Sequence, residues 1–189
     1  MRPPMLSWSD AAVLERMRKG WRGGESEGTP CGTGSRKAGT REIRKYLPGL
    51  LEKFGVRSIC DAGAGDLYWK VGPLKGVQYQ AFDLVPRCTG VQEWDITKTA
   101  LPACDLILCR QVLIHLDPPR VKAALALFRE SAPLLLASTY DVENVFDPAR
   151  QFNKTNLSAA PYGLGPPISG IVDCKGLLAL WRLNEVSSL

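Results

Sequence analysis

Val56-Arg57-Ser58-Ile59-Cys60-Asp61-Ala62-Gly63-Ala64-Gly65-Asp66 is the stretch on which the fold turns. Val56 to Asp61 reads as a strand, and it runs straight into a turn with two glycines held between carboxylates. In an open α/β sheet, ligands bind in the crevice beyond the carboxyl ends of the strands. Glycine at such a place lets the main chain approach a ligand that a side chain would push away. Downstream, a short helix is expected from about Leu67 to Leu74, and Val77 to Asp83 alternates as a second strand. A weak third strand falls near Val91, an apolar fourth over Asp105 to Cys109 and a fifth over Leu134 to Ser138. Pro118 to Ser131 has the pattern of an amphipathic helix, and Gly176 to Leu183 reads as a last strand, an antiparallel edge.

Upstream, Thr40 is placed to cap a helix reaching Lys53, with Ile43, Leu47, Leu50 and Leu51 on one face and Pro48 as a point that kinks or splits it. Ala11, Val13, Leu14 and Met17 give residues 1–20 a helical spacing, with Ser9-Asp10 as the cap, and Gly20 to Gly39 reads as a loop. Strands alternating with helices predict an α/β fold: a Rossmann-like, mostly parallel sheet with helices on both faces and an antiparallel edge strand. A single domain is expected over 1–189, with an N-terminal helix and Gly/Ser-rich loop (1–39), a cofactor-binding core (40–140), and a long loop with the last strand (141–189).

Composition narrows the classes. Hydrophobic residues make up 45% and charged residues 23% of 189, the balance of a globular domain. No stretch approaches the ~20 apolar residues of a membrane span. Met1-Arg2-Pro3-Pro4 opens no secretory core, so the expected location is cytoplasmic. Six cysteines without a Cys-x-x-Cys pair, beside a single histidine, His115, lack the spacing of a zinc site, and no metal is expected. Cys60, Cys104 and Cys109 lie in apolar runs, where a free thiol behaves as a small hydrophobe. Residues 1–57 hold 12 Lys/Arg against 6 Asp/Glu, and the remainder 12 against 13. That basic N-terminal region is either a partner surface, for nucleic acid among others, or a solvated face.

Asp83 ends the second strand 22 residues after Asp61, the spacing at which a carboxylate accepts both hydroxyls of a ribose. A dinucleotide would want a third glycine, and Tyr68 stands there instead. Asp66 would oppose a phosphate. The sulfonium and ammonium of S-adenosylmethionine suit Asp61 and Asp66, so the acidic turn that disfavours NAD favours this cofactor.

On these residues the chain resembles class I S-adenosylmethionine-dependent methyltransferases over roughly residues 40–140. The resemblance implies that the Asp61–Asp66 loop, with Gly63 and Gly65, cradles the methionine part of the cofactor. It implies that Asp83 holds the ribose and that Leu84 packs on the adenine. Asp95-Ile96 is similar to the family's acid-plus-apolar pair, the acid accepting from the adenine amino group. Asp105 to Leu116 is similar to its fourth strand and following helix. More narrowly, Trp21 to Ser35 with Asn144, Asn156-Leu157 and Pro161-Tyr162 resembles a small bacterial and phage subgroup.

Each residue carries a plainer reading as well. Asp83 could cap a helix, Asp95 could cap a turn before Thr97, and Trp69 could close over the methionine tail or sit in the core. His115, Gln111 and Tyr162 are the candidate catalytic side chains. His115 is the natural general base, or it packs below the cofactor. Gln111 can orient an acceptor and cannot act as a base. Arg110 ends the fourth strand beside the cofactor, and Tyr140, Asp141, Asn156 and Tyr162 could wall the acceptor pocket. Arg110-Gln111-Val112-Leu113 replaces the Asn/Asp-Pro-Pro-aromatic motif of enzymes that methylate amino groups of DNA bases. The expected activity is therefore transfer to a small polar acceptor, sugar-like or nucleoside-like. The alternatives are a nucleic-acid methyltransferase using basic residues 36–45, or a cofactor-binding module without transferase activity.

Overall fold

A computed structural model describes residues 15, 17–20, 27–70, 72, 74–150, 152–173 and 176–185. Most of the helix expected over 1–20, its Ser9-Asp10 cap, and Trp21 lie outside the described residues. The strands are β1 (Ser58–Ala62), β2 (Gln78–Asp83), β3 (Val91–Glu93), β4 (Leu106–Cys109), β5 (Leu134–Thr139), β6 (Ser169–Asp173) and β7 (Gly176–Arg182). They form one sheet in the order β3-β2-β1-β4-β5-β7-β6. Every pairing from β3 to β5 is parallel, with Cys60 opposite both Gln80 and Ile107. β7 runs antiparallel to β5 and to β6, with Leu136 opposite Leu180 and Ile171 opposite Leu178.

The sheet is covered on both sides, which is why β4 and β5 are buried at every residue. On one face α1 (Arg41–Lys53) lays Ile43, Leu47, Leu50 and Leu51 against Ile59, Leu106, Leu136 and Leu180. On the other, α2 (Pro118–Ser131) sets Val121, Ala124, Leu125 and Phe128 against Cys60, Ile107, Leu135 and Trp181. α2 starts as its sequence dictates. Asp117 accepts from the Arg120 amide at 2.9 Å, and prolines fill the first two helical positions, where no amide partner is needed.

Four expectations are corrected. Among the described residues no helix follows the glycine turn: residues 67–70 form turns, because Leu67 sits at φ 58°, outside the right-handed region, and Trp69 is drawn into the core. Thr40 does not cap α1 with its side chain; its hydroxyl donates back to Arg36 O at 2.9 Å. Pro48 does not split α1: it lies exposed within a helix that continues to Lys53. The last strand is not the edge: β6, taken from the stretch read as loop, lies outside β7.

Candidate functional site

The strand order reverses between β1 and β4, since β1 leads outward to β2 and β4 to β5. Such a reversal opens a crevice at the carboxyl ends of the two strands. A cavity of about 270 Å³ lies there, walled by the glycine turn, the ends of β2 and β4, the 94–97 turn and residues 31–35 of the N-terminal loop.

The glycine turn is held from below by the Gly63 and Ala64 amides, which donate to Phe82 O at 2.8 and 3.0 Å. Gly63 has φ 93°, and a Cβ there would fall 2.1 Å from a Val112 methyl. Gly65 has φ 61°, and its Cβ would meet the Cys31 sulfur at 2.6 Å. Both glycines are thus required by close packing of this chain on itself as well as by left-handed backbone. Burial, reinforced by Asp66, pushes the Cys31 thiol up to about 12, so it stays protonated on the wall.

Asp83 anchors the opposite corner. One carboxylate oxygen accepts from Gly65 N at 2.8 Å and the other from Val85 N at 2.9 Å, tying the end of β2 to the glycine turn. Each oxygen keeps a further lone pair. Burial raises its pKa, against the pull of those two amides. Next to it Leu84, Trp94 and Ile96 make an apolar wall, with Trp94 edge-on to Phe82 at 5.3 Å. Asp95 also lines the cavity, yet its Oδ1 accepts from Thr97 N at 3.0 Å and Thr97 Oγ1 at 2.6 Å, and Lys98 pairs with Oδ2 at 3.2 Å. Burial pushes its pKa up, and the Thr97 and Lys98 contacts outweigh that and lower it.

At the end of β4, Arg110 and Gln111 line the cavity together with His115. Gln111 occupies φ 58°, a left-handed conformation that costs a non-glycine residue about 1–2 kcal/mol. Its amide donates to Ser138 Oγ at 2.9 Å, and its side chain meets the Tyr140 hydroxyl at 3.1 Å and Asp173 Oδ2 at 3.3 Å. Strain held this way by its neighbours is characteristic of functional positions. His115 ends a short 3-10 turn, Leu113–His115, against the same space.

Of the twelve candidate side chains, Gly63, Gly65, Asp83, Leu84, Asp95, Ile96, Arg110, Gln111 and His115 lie on the cavity wall, and Asp61, Asp66 and Tyr162 do not. Asp61 is sealed beneath the turn, accepting from the Tyr79 hydroxyl, and burial pushes its pKa up to about 7. Asp66 accepts from Tyr68 N at 3.2 Å. Tyr162 packs in the core under α2 beside Leu157 and Leu164. Asn144 and Asn156 fold their loop: Asn144 donates to Asn156 O at 2.9 Å and accepts from Asn156 N at 2.8 Å. The basic stretch 36–45 makes local contacts, with Arg41 paired to Glu42 and Arg44 donating to Thr40 O.

Sequence reasoning missed two contributors. The 31–35 wall has no sequence signal joining it to the glycine turn. Asp173, buried at the end of β6, comes from a stretch read as connection.

No family model matches the chain, and no curated protein matches it. Solved structures do. The chain is similar to the 1,6-didemethyltoxoflavin-N1-methyltransferase of Burkholderia thailandensis, at 16% identity and TM-score 0.61, over 91% of this chain and 88% of that one. It is also similar to magnesium protoporphyrin IX methyltransferase from Synechocystis PCC 6803, at 15% identity and TM-score 0.57, over 76% and 78%. A third likeness is to the mitomycin 7-O-methyltransferase, at 14% identity and TM-score 0.54, over 77% of this chain and 54% of that one. The fold is that of the class I S-adenosylmethionine-dependent methyltransferases.

Proposed function

We propose that this chain is an S-adenosylmethionine-dependent methyltransferase acting on a small acceptor. The observation that carries the reading is the turn after β1. Residues 67–70 form no helix, so the glycine turn lacks the helix N-terminus that would receive a pyrophosphate. What it offers instead is the Asp83 carboxylate beside the apolar Leu84, Trp94 and Ile96, a donor set suited to a ribose and a neutral base. The similar structures were solved with S-adenosylmethionine bound in one case and S-adenosylhomocysteine in another.

Bound there, the cofactor supplies an electrophilic methyl group, and the protein's part is alignment. Asp83 would accept the ribose hydroxyls with its remaining lone pairs. Leu84, Trp94 and Ile96 would flank the base, and Asp95 would meet its edge. Gln111, Tyr140 and His115 would face the acceptor, with Gln111 orienting it and His115 within reach of its proton. We take the acceptor to be polar and of sugar-like or nucleoside-like size, because the wall offers it the Gln111, Tyr140 and His115 side chains. The 1,6-didemethyltoxoflavin bound in one similar structure is likewise a small molecule.

Calorimetric titration of the chain with S-adenosylmethionine and with NAD tests the reading. Binding of the first and not the second, weakened by Asp83→Ala, is expected. Binding of NAD, or of neither, would sink it.

A further inference from the structure

The acceptor-side wall is organised by a residue that does not itself reach the cavity. Asp173 closes the edge strand β6 with its side chain 2% exposed. Its Oδ1 accepts from Arg110 Nη2 at 2.7 Å and from Arg110 Nε at 3.3 Å. Its Oδ2 accepts from Gln111 Nε2 at 3.3 Å. Arg110 in turn donates from Nη1 to Gly34 O at 2.9 Å and from Nη2 to Gly39 O at 3.3 Å. A guanidinium is a rigid planar fork, so fixing one edge on a carboxylate fixes the direction of the other. The backbone carbonyls of the N-terminal loop are therefore held where Asp173 directs them, and that loop supplies Thr33, Gly34 and Ser35 to the cavity wall. Through Oδ2 the same carboxylate orients the Gln111 amide toward the Tyr140 hydroxyl.

We infer that Asp173 is a positioning residue of the site, seating the 32–39 loop over the cavity through Arg110 and setting the acceptor-facing amide through Gln111. The inference rests on the methyltransferase reading for the identity of what the cavity holds; the seating of the loop stands on the contacts themselves.

Asp173→Asn keeps the volume and replaces one accepting oxygen with an amide that donates. Hydrogen exchange of residues 32–39 in the full chain is expected to accelerate in this variant. If the loop is then seated a tenth of the time, affinity for S-adenosylmethionine falls about tenfold. Loss of one member of a buried pair can unfold a protein, and a second variant guards against that. Arg110→Met with Asp173→Leu removes both charges, a change that cores often tolerate. This variant is expected to keep its melting temperature, yet to leave 32–39 unprotected and the cofactor weakly bound. If it regains protection and affinity together with stability, the pair is merely structural and the inference falls. Unchanged exchange in a folded Asp173→Asn overturns it equally. The exchange readout needs no cofactor, so a wild-type chain that fails to bind S-adenosylmethionine would end the methyltransferase reading while exchange still judged the loop.

Discussion

Asp61 and Asp173 lie beneath opposite sides of one cavity, 1% and 7% exposed, and each has its negative charge dealt with differently. Asp61, on the glycine-turn side, is pushed up to about 7 by burial, with Asp83 adding to the rise and the Tyr79 hydroxyl and Arg110 opposing it. A proton neutralises it through much of the acid range. Asp173, on the acceptor side, lies against the Arg110 guanidinium at 2.7 Å. The buried Asp61 is therefore met by a proton, and Asp173 by a cation that also holds a loop.

The sharpest way to break this comparison is to remove the acceptor-side carboxylate. Asp173→Ala removes the carboxylate paired with the buried Arg110 guanidinium, and the expected loss is about 3–5 kcal/mol in urea unfolding. A loss below about 1 kcal/mol would show the guanidinium already compensated by the loop carbonyls.

Asp61 is expected to respond in the opposite manner. Its folded pKa of about 7 exceeds the ordinary value of 3.8, so the folded state holds the proton more tightly. The stability this contributes is fully present below about pH 4 and is lost as pH rises through about 7. At ~1.4 kcal/mol per unit the whole span is about 4 kcal/mol at most. Stability measured from pH 4 to pH 8 should therefore fall in the wild type and stay flatter in Asp61→Asn. Parallel slopes for the two proteins would mean that Asp61 is already ionised in the folded state.

A smaller change separates packing from charge on the glycine-turn side. Gly63→Ala forces a Cβ onto Val112 in a left-handed backbone and should cost about 2–3 kcal/mol with loss of cofactor binding. Adding Val112→Ala should restore part of the stability. If binding returns as well, Gly63 serves the chain's own packing; if it does not, the ligand needs the space too.

How much of this was legible depended on range in the sequence. Periodicity located β1, β2, β4, β5 and α2, because an element buried on both faces or along one stripe writes that burial into consecutive residues. The Asp61 to Asp83 spacing likewise joined two neighbouring strand ends that the structure ties together through Gly65 N and Asp83, although Asp61 itself lies beneath the cavity. β6 was invisible: Ser169-Gly170-Ile171-Val172-Asp173 is short, follows prolines and glycine, and exposes Gly170 and Val172 at the sheet edge. Its register is set by β7, not by its own pattern. The short helix after the glycine turn read well locally, and tertiary packing of Trp69 with the left-handed Leu67 overrode it. Tyr162 was expected beside the acceptor because it lies in a long loop, yet that loop spends Leu157, Tyr162 and Leu164 on covering the core. Cys31 against Gly65, and Arg110 against Gly34, join residues 34 and 76 positions apart, and no local pattern records such a meeting.

The placement of β7 between β5 and β6 has a consequence for the order of assembly. β6 precedes β7 along the chain but hydrogen-bonds to the sheet only through it. Asp173 therefore comes to rest beside Arg110, 63 positions earlier, only once residues 176–182 have docked on β5. Loop closures of that span are entropically slow to form. The parallel strands and the glycine turn lie earlier in the chain, so the crevice can take shape before its cover is fastened. The seating of the 32–39 loop inferred above therefore depends on the pairing of residues 176–182 with β5, far along the chain from the crevice it closes.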